Sequence, residues 1–355
     1  MKRIVTVVGA RPQFIKASPV TNALQGKVEE IVIHTGQHYD EAMSSIFFSE
    51  LGMPTPRYNL GIGSGHHGRQ TGRMLEAIEA VLLEERPALV LVYGDTNSTL
   101  AGALAAVKLE LPVAHVEAGL RSFDMRMPEE LNRVITDRIS KILFCPSKAS
   151  VANLNAEGIG EGIHEVGDVM ADALASARTR AAKESDVLER FGLEEQGYLL
   201  ATVHRAANTN DGARLRAILN ALSSVSSPVI LPLHPRARQR IDELALRAEI
   251  GGNVRIVDPL GYLDTIRLAS SARVVATDSG GLQKEAYWLG VPCVTLREET
   301  EWIETVESGW NTLVGADRDA IAAAILSAAR PALRPILYGD GRAAERIARI
   351  IEQQA

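Results

Sequence analysis

The chain has 355 residues, is 46% hydrophobic and 23% charged, and carries a formal net charge of -6. That length exceeds what one hydrophobic core serves, so two domains are the default. The ordinary composition excludes a low-complexity or fibrous chain, the acidic balance excludes a general nucleic-acid binder, and no apolar run reaches the ~18 residues of a membrane span. In chain order, short β-branched runs alternate with longer helical patterns. Strands are predicted at residues 3–8, 30–34, 89–93, 112–116 and 141–145, with helices at 17–24, 41–51, 70–85, 98–109 and 129–139. A glycine-rich stretch, Gly158–Gly167, reads as a joint, after which strands are predicted at 198–203, 228–233, 254–257, 273–277 and 292–296. This rhythm predicts an α/β protein of two Rossmann-like, doubly wound domains with a cleft between them. The domains are expected over 1–166 and 167–338, and a last helix within 339–355 is expected to pack back on the first.

Three acidic sites follow strand ends in the first half. Gly94-Asp95-Thr96 follows one apolar run, Glu117-Ala118-Gly119 follows the next, and Pro128-Glu129-Glu130 opens the helix beyond. In an open parallel sheet the carboxyl ends of strands line the ligand crevice. Carboxylates gathered there push one another's pKa values apart, which suits proton transfer. Asp95 and Glu117 are the expected proton-handling pair, without an assignment of which does which. Glu129 reads either as an orienting group or as a helix N-terminal charge after Pro128.

Two turns read as anion cradles. Gly9-Ala10-Arg11-Pro12 follows the first strand and opens a helix, with Arg11 and Lys16 adding positive charge. Thr277-Asp278-Ser279-Gly280-Gly281 repeats the plan in the second half, where Ser279, Gly280 and Gly281 offer backbone amides to a diphosphate. Glu285, one turn on, is placed to accept from two ribose hydroxyls. His204-Arg205 and His234-Pro235-Arg236 close successive strands at the same edge and suit an anionic nucleotide or proton transfer. Gly63-Ser64-Gly65-His66-His67-Gly68 spells a dinucleotide fingerprint, but Pro54-Thr55-Pro56 precedes it, so a loop or lid is the reading.

His34 and His38 have helical metal-pair spacing, yet His34 closes a strand run, so no metal site is expected. Cys145 and Cys293 each lie in apolar runs and read as buried thiols, which fits a reducing compartment. With a strand pattern beginning at Arg3 and no signal-peptide pattern before it, a cytoplasmic location is expected.

Taken jointly, Gly94–Thr96, His115–Arg121, Pro128–Arg133, Thr202–Arg205, His234–Arg236 and Asp278–Glu285 resemble the non-hydrolysing UDP-N-acetylglucosamine 2-epimerases, and the likeness runs over nearly the whole chain. The resemblance implies a glycosyltransferase-B type of fold and inversion at C2 of a UDP-2-acetamido sugar by loss and return of UDP. It places Asp95, Glu117, Glu129 and His204 at catalytic positions, and Arg11, Lys16, Ser279, Gly281 and Glu285 at nucleotide-binding ones. It implies no cofactor, a UDP-sugar substrate and a homodimer. Ala10, Gln13, Ala207, Thr265 and Trp302 depart from the usual family pattern. Gly-Ala-Arg-Pro-Gln-Phe-Ile-Lys and Thr-Glu-Trp look more like the subgroup acting on UDP-2,3-diacetamido-glucuronate. A glycosyltransferase of the same plan and a hydrolysing epimerase are the rival readings.

Overall fold

The computed structural model describes residues 1–36, 53–233 and 235–354, apart from the side chains of residues 11, 235 and 236. The chain divides into two units, Met1–Ala173 with Tyr338–Ala355, and Leu174–Leu337. Each is a doubly wound α/β unit built on one parallel sheet.

The first sheet contains β1 (Arg3–Val8), β2 (Glu29–His34), β3 (Tyr58–Asn59), β4 (Leu89–Tyr93), β5 (Val113–Val116), β6 (Ile142–Cys145) and β7 (Ile163–Glu165), in the order β3-β2-β1-β4-β5-β6-β7. Between them run α1 (Arg11–Leu24), α2 (His67–Glu85), α3 (Asn97–Lys108), α4 (Pro128–Ile139) and α5 (Lys148–Ala156). β4 and β5 are buried along their whole length. They read as unbroken apolar runs because helices cover both faces of a parallel sheet. Val5, Val7, Ile31, Ile33, Val90 and Val92 form the core under Met74 and Ile78 of α2 and Ala101 and Ala105 of α3.

The second sheet, β8 (Leu199–Thr202), β9 (Val229–Pro232), β10 (Val254–Val257), β11 (Val274–Thr277), β12 (Cys293–Thr295) and β13 (Asn311–Leu313), runs β10-β9-β8-β11-β12-β13. Strand order therefore reverses between β1 and β4 in one unit and between β8 and β11 in the other. In such sheets ligands bind outside the carboxyl ends of the strands at that reversal.

Every predicted strand forms, within one residue at each end. The stretch read as a joint, Gly158–Gly167, contains the edge strand β7, and β3 and β13 are also additions. These are two- or three-residue strands, too short to show a period in the sequence. The predicted helix over 41–51 lies outside the described residues. The terminal helix, Ala343–Gln354, belongs to the first unit and packs on α1. Asp172 accepts hydrogen bonds from Ala343 N (3.2 Å) and Ala344 N (2.9 Å), capping that helix. Among the described residues no helix is long and apolar enough to cross a membrane.

Candidate active site

In the first unit the strand register does the positioning. Val92 is level with His115, and Tyr93 with Val116, so Asp95 and Glu117 leave the sheet at one edge. Gly94 N bonds to Val116 O (3.0 Å), tying the two turns together. Gly94 sits at φ +63° and Glu117 at φ +72°. The left-handed region is costly for a glutamate, by roughly 1–3 kcal/mol, and such strain collects at working sites. The turn is held there because Glu117 N and Ala118 N both bond to Phe144 O, at 3.1 Å each.

Lys16, on the second turn of α1, pairs with Glu117. Burial works against its charge, but Glu117, Asp95 and Asp168 outweigh burial and hold the ammonium above the usual lysine range. Arg133 of α4 pairs with Asp95 and donates to Glu130 (2.9 Å). Asn132 Nδ2 donates to Asp95 O at 2.9 Å. Glu130, 1% exposed, also accepts from Ser122 N and Phe123 N, both 2.9 Å. Burial pushes its carboxyl up, and these amides and Arg133 more than reverse the effect. Glu129, one residue earlier, is solvent-exposed in the first turn of α4. So Asp95, Glu117 and Lys16 lie together, Glu130 and Arg133 brace them, and Glu129 stays exposed at the start of α4.

Gln13 is a further brace. Its Oε1 accepts from Gly9 N (2.8 Å) and Ala10 N (3.1 Å), and its Nε2 donates to Tyr93 O (2.8 Å) and Thr99 Oγ1 (3.0 Å). Only an amide satisfies both ends, so it stitches the ends of β1 and β4. The side chain of Arg11 lies outside the described residues.

In the second unit, Thr202 of β8 is level with Thr277 of β11, which brings His204 beside Asp278. Asp278 is fully buried, and its carboxylate accepts from His204 N (3.1 Å), Arg205 N (3.0 Å) and Asn208 Nδ2 (3.1 Å). Burial raises its pKa, and the His204 ring and these donors carry it below the usual carboxylate range. The His204 Nδ1 stands 3.2 Å from Asp278 Oδ1, while the side chain is 56% exposed. Asp278 therefore orients the ring and leaves Nε2 at the surface.

Beside it begins α7 in the order Ala206–Thr209 (α6), Gly280–Leu289 (α7). Ser279 caps α7, its Oγ accepting from Leu282 N at 3.3 Å. Gly280 and Gly281 supply the first two helical N–H groups, a natural anion seat. Trp302 Nε1 donates to Gly280 O (2.9 Å), and Lys284 Nζ lies 4.0 Å from the Trp302 ring centroid. Arg205 Nη2 is 3.8 Å from Glu301, which Arg297 already holds through two bonds (2.9 and 3.0 Å). Glu285, half-buried on α7, has its carboxyl pushed up to about 7 by burial, against the pull of Lys284. His234 and the side chain of Arg236 lie outside the described residues.

A family model described as UDP-N-acetylglucosamine 2-epimerase matches residues 22–352. The chain belongs to the UDP-N-acetylglucosamine 2-epimerase family. A UDP-N-acetylglucosamine 2-epimerase homolog of Methanococcus maripaludis is 52% identical over 98% of this chain and 99% of its own. The UDP-2,3-diacetamido-2,3-dideoxy-D-glucuronate 2-epimerase of Pseudomonas aeruginosa is 52% identical over 98% of each chain. A crystal structure of the Methanocaldococcus jannaschii UDP-GlcNAc 2-epimerase, in complex with UDP-GlcNAc and UDP, matches with a TM-score of 0.84 and 45% identity over 99% of this chain and 100% of that one. The likeness fits the glycosyltransferase-B type of fold expected from the sequence.

Around the sequence-predicted residues the structure gathers others that the sequence reading did not single out. Arg133, Glu130, Asp278 and the His115–Asp137 pair are among them. One signal was available: Glu130, Arg133 and Asp137 recur at i, i+3 and i+7 on one face of α4, and Glu129 falls off that face. His34, 2% exposed, stands edge-on to Phe14 with ring centroids 5.0 Å apart, and His38 lies outside the described residues. Cys145 and Cys293 are buried free thiols, each pushed up to about 12 by burial.

Proposed function

We propose that this chain is a non-hydrolysing 2-epimerase of a UDP-2-acetamido sugar. The observation that carries the reading is the pair Asp95 and Glu117, set side by side at adjacent strand ends with one cation on each. The second unit contributes a capped helix N-terminus at Ser279–Gly281, an oriented His204 and a half-buried Glu285. In this reading Ser279, Gly280, Gly281 and Arg205 take the diphosphate, Glu285 takes the ribose, and Asp95 and Glu117 handle the C2 proton.

The C2 proton has no neighbouring carbonyl to acidify it. Departure of the diphosphate supplies the driving force: the C1–O bond breaks with its electron pair going to UDP, and a carboxylate takes the C2 proton. In this reading the amides of Gly280 and Gly281 stabilise that departing charge, by about 3 kcal/mol per contact. A second group then returns a proton to the opposite face of C2 and UDP re-adds at C1, so nothing is consumed. Lys16 and Arg133 keep two acids in one site compatible, since each offsets one carboxylate's charge. Glu129 and His204 orient and tune the reacting groups in this reading. A homodimer, a cytoplasmic location and the absence of a cofactor belong to the same reading.

The alternative substrate is UDP-2,3-diacetamido-2,3-dideoxy-glucuronate. Trp302, whose Nε1 donates to Gly280 O, falls in the Thr-Glu-Trp sequence that resembles the diacetamido subgroup, and the relatives named for the two substrates are each 52% identical. Incubation with UDP-GlcNAc alone and with the diacetamido uronate alone, followed by proton NMR, tests both. The 2-epimer is expected to form without any acceptor. A requirement for an acceptor favours a glycosyltransferase, and accumulation of UDP with free sugar favours a hydrolysing enzyme.

A further inference from the structure

Behind the two acid turns lies a buried set of charges that touches neither carboxylate. His115, fully buried in β5, places Nε2 2.7 Å from Gly94 O and Nδ1 2.7 Å from Asp137 Oδ1. The Gly94 carbonyl can only accept, so Nε2 is the donor there. Asp137 of α4 uses its other oxygen to accept from Gly119 N (3.0 Å) and Arg121 Nη1 (2.7 Å). Arg121 runs on to Glu157 through two bonds, at 2.6 and 2.8 Å. The side chains of His115, Asp137 and Arg121 are at most 1% exposed.

The placement of these bonds is selective. Gly94 immediately precedes Asp95, and Gly119 follows Glu117 by two residues. Both glycines hold positive φ, +63° and +77°, so both turns stand in conformations that the local chain does not enforce. One imidazole and one carboxylate thus grip the two turns that carry the acids. Burying such a set is costly unless every member is paired. A plain apolar pair would fill the same volume without that cost and without holding the two turns.

We infer that His115 is a positioning residue for the epimerisation, its Nε2 bond to the Gly94 carbonyl fixing where the Asp95 carboxylate stands. The inference rests on the proposed reaction and names the group that keeps its geometry. Displacing a reacting group by an ångström costs about 100-fold in rate.

Two isosteres separate this role from general packing. Glutamine places an N–H where Nε2 stands and keeps the bond to Gly94. Asparagine places one where Nδ1 stands, keeping Asp137 and losing Gly94. Both variants are made in the full chain, with unfolding midpoint, UDP affinity, kcat and KM measured for each. His115→Asn is expected to lower kcat about 100-fold with UDP affinity unchanged, and His115→Gln is expected to stay within about 10-fold of the parent. Equal losses in the two variants, or losses that follow the unfolding midpoint alone, overturn the inference. If neither variant folds, Asp137→Asn in the parent serves instead. A fall in kcat at unchanged UDP affinity is then expected, and an unchanged kcat overturns the inference. Absence of epimerisation by the parent chain is a different result, and it defeats the proposed reaction itself.

Discussion

The two units share one plan, a parallel sheet whose strand order reverses in the middle, yet they dress the reversal differently. In the first, the strand ends carry side-chain charge: Glu117 with Lys16, Asp95 with Arg133, and His115 with Asp137 behind them. In the second, one buried carboxylate organises backbone: Asp278 gathers the amides of His204 and Arg205, and α7 beside it offers those of Gly280 and Gly281. The glycines differ in the same way. A Cβ on Gly94 would stand 3.3 Å from the Glu117 carboxylate, and one on Gly119 would stand 2.3 Å from Ser150 O. A Cβ on Gly281 meets nothing nearer than Ser279 Oγ at 3.9 Å. Gly94 and Gly119 are closely approached at the first unit's acid turns, whereas Gly281 has open space beside it. A side-chain site suits proton chemistry, and a backbone site suits holding a large anion.

That contrast is sharpened most by the acids. Asp95→Asn and Glu117→Gln are each expected to lower turnover by about 100- to 10,000-fold while UDP binding, measured calorimetrically, stays near the parent value. Loss of UDP affinity in step with turnover would erase the division of labour between the units. Next come the first unit's glycines. Gly119→Ala is expected to destabilise the chain by roughly 1–3 kcal/mol from its backbone alone, and more from the clash, in a denaturant titration. Gly281→Ala is expected to leave that titration unchanged and to weaken UDP binding about 10-fold, or 1.4 kcal/mol. A stability loss at Gly281 would mean that its openness is not kept for a ligand.

The smallest effect is one of pH. Glu285 has a pKa of about 7, above the ordinary 4.5, so below pH 7 it carries a proton and accepts poorly from the ribose. Affinity for uridine, which has no titrating phosphate, is expected to fall by up to about 10-fold per pH unit below 7 and to level off above it. Glu285→Gln removes that slope. A parent curve that is flat between pH 8 and 6 removes Glu285 from the ribose site.

Much of this was legible because the sequence signals were local. Buried parallel strands read as apolar runs, and the residues just after them, Asp95, Glu117 and Ser279–Gly281, inherit the strand-end position. What was hidden depends on side-chain direction across long separations. Glu129 and Glu130 are neighbours in one helical turn, and only the face they occupy decides which is buried. Lys16 read as an anion contact because its sequence neighbours are a glycine turn and Arg11, but its partner lies about a hundred residues away in Glu117. His115 sat inside an apolar run, where nothing local distinguishes a core histidine from a brace. Gln13 looked like a departure from the family pattern and is a four-bond stitch between β1 and β4.

The central claim is that the acids of the first unit exchange the C2 proton of a sugar whose UDP leaves and returns. Its most direct test is to run the parent chain with its UDP-sugar in deuterated water and follow C2 by NMR. The account predicts deuterium at C2 in the epimerised product, with no build-up of free UDP. Epimerised product that keeps its original hydrogen at C2 would contradict it.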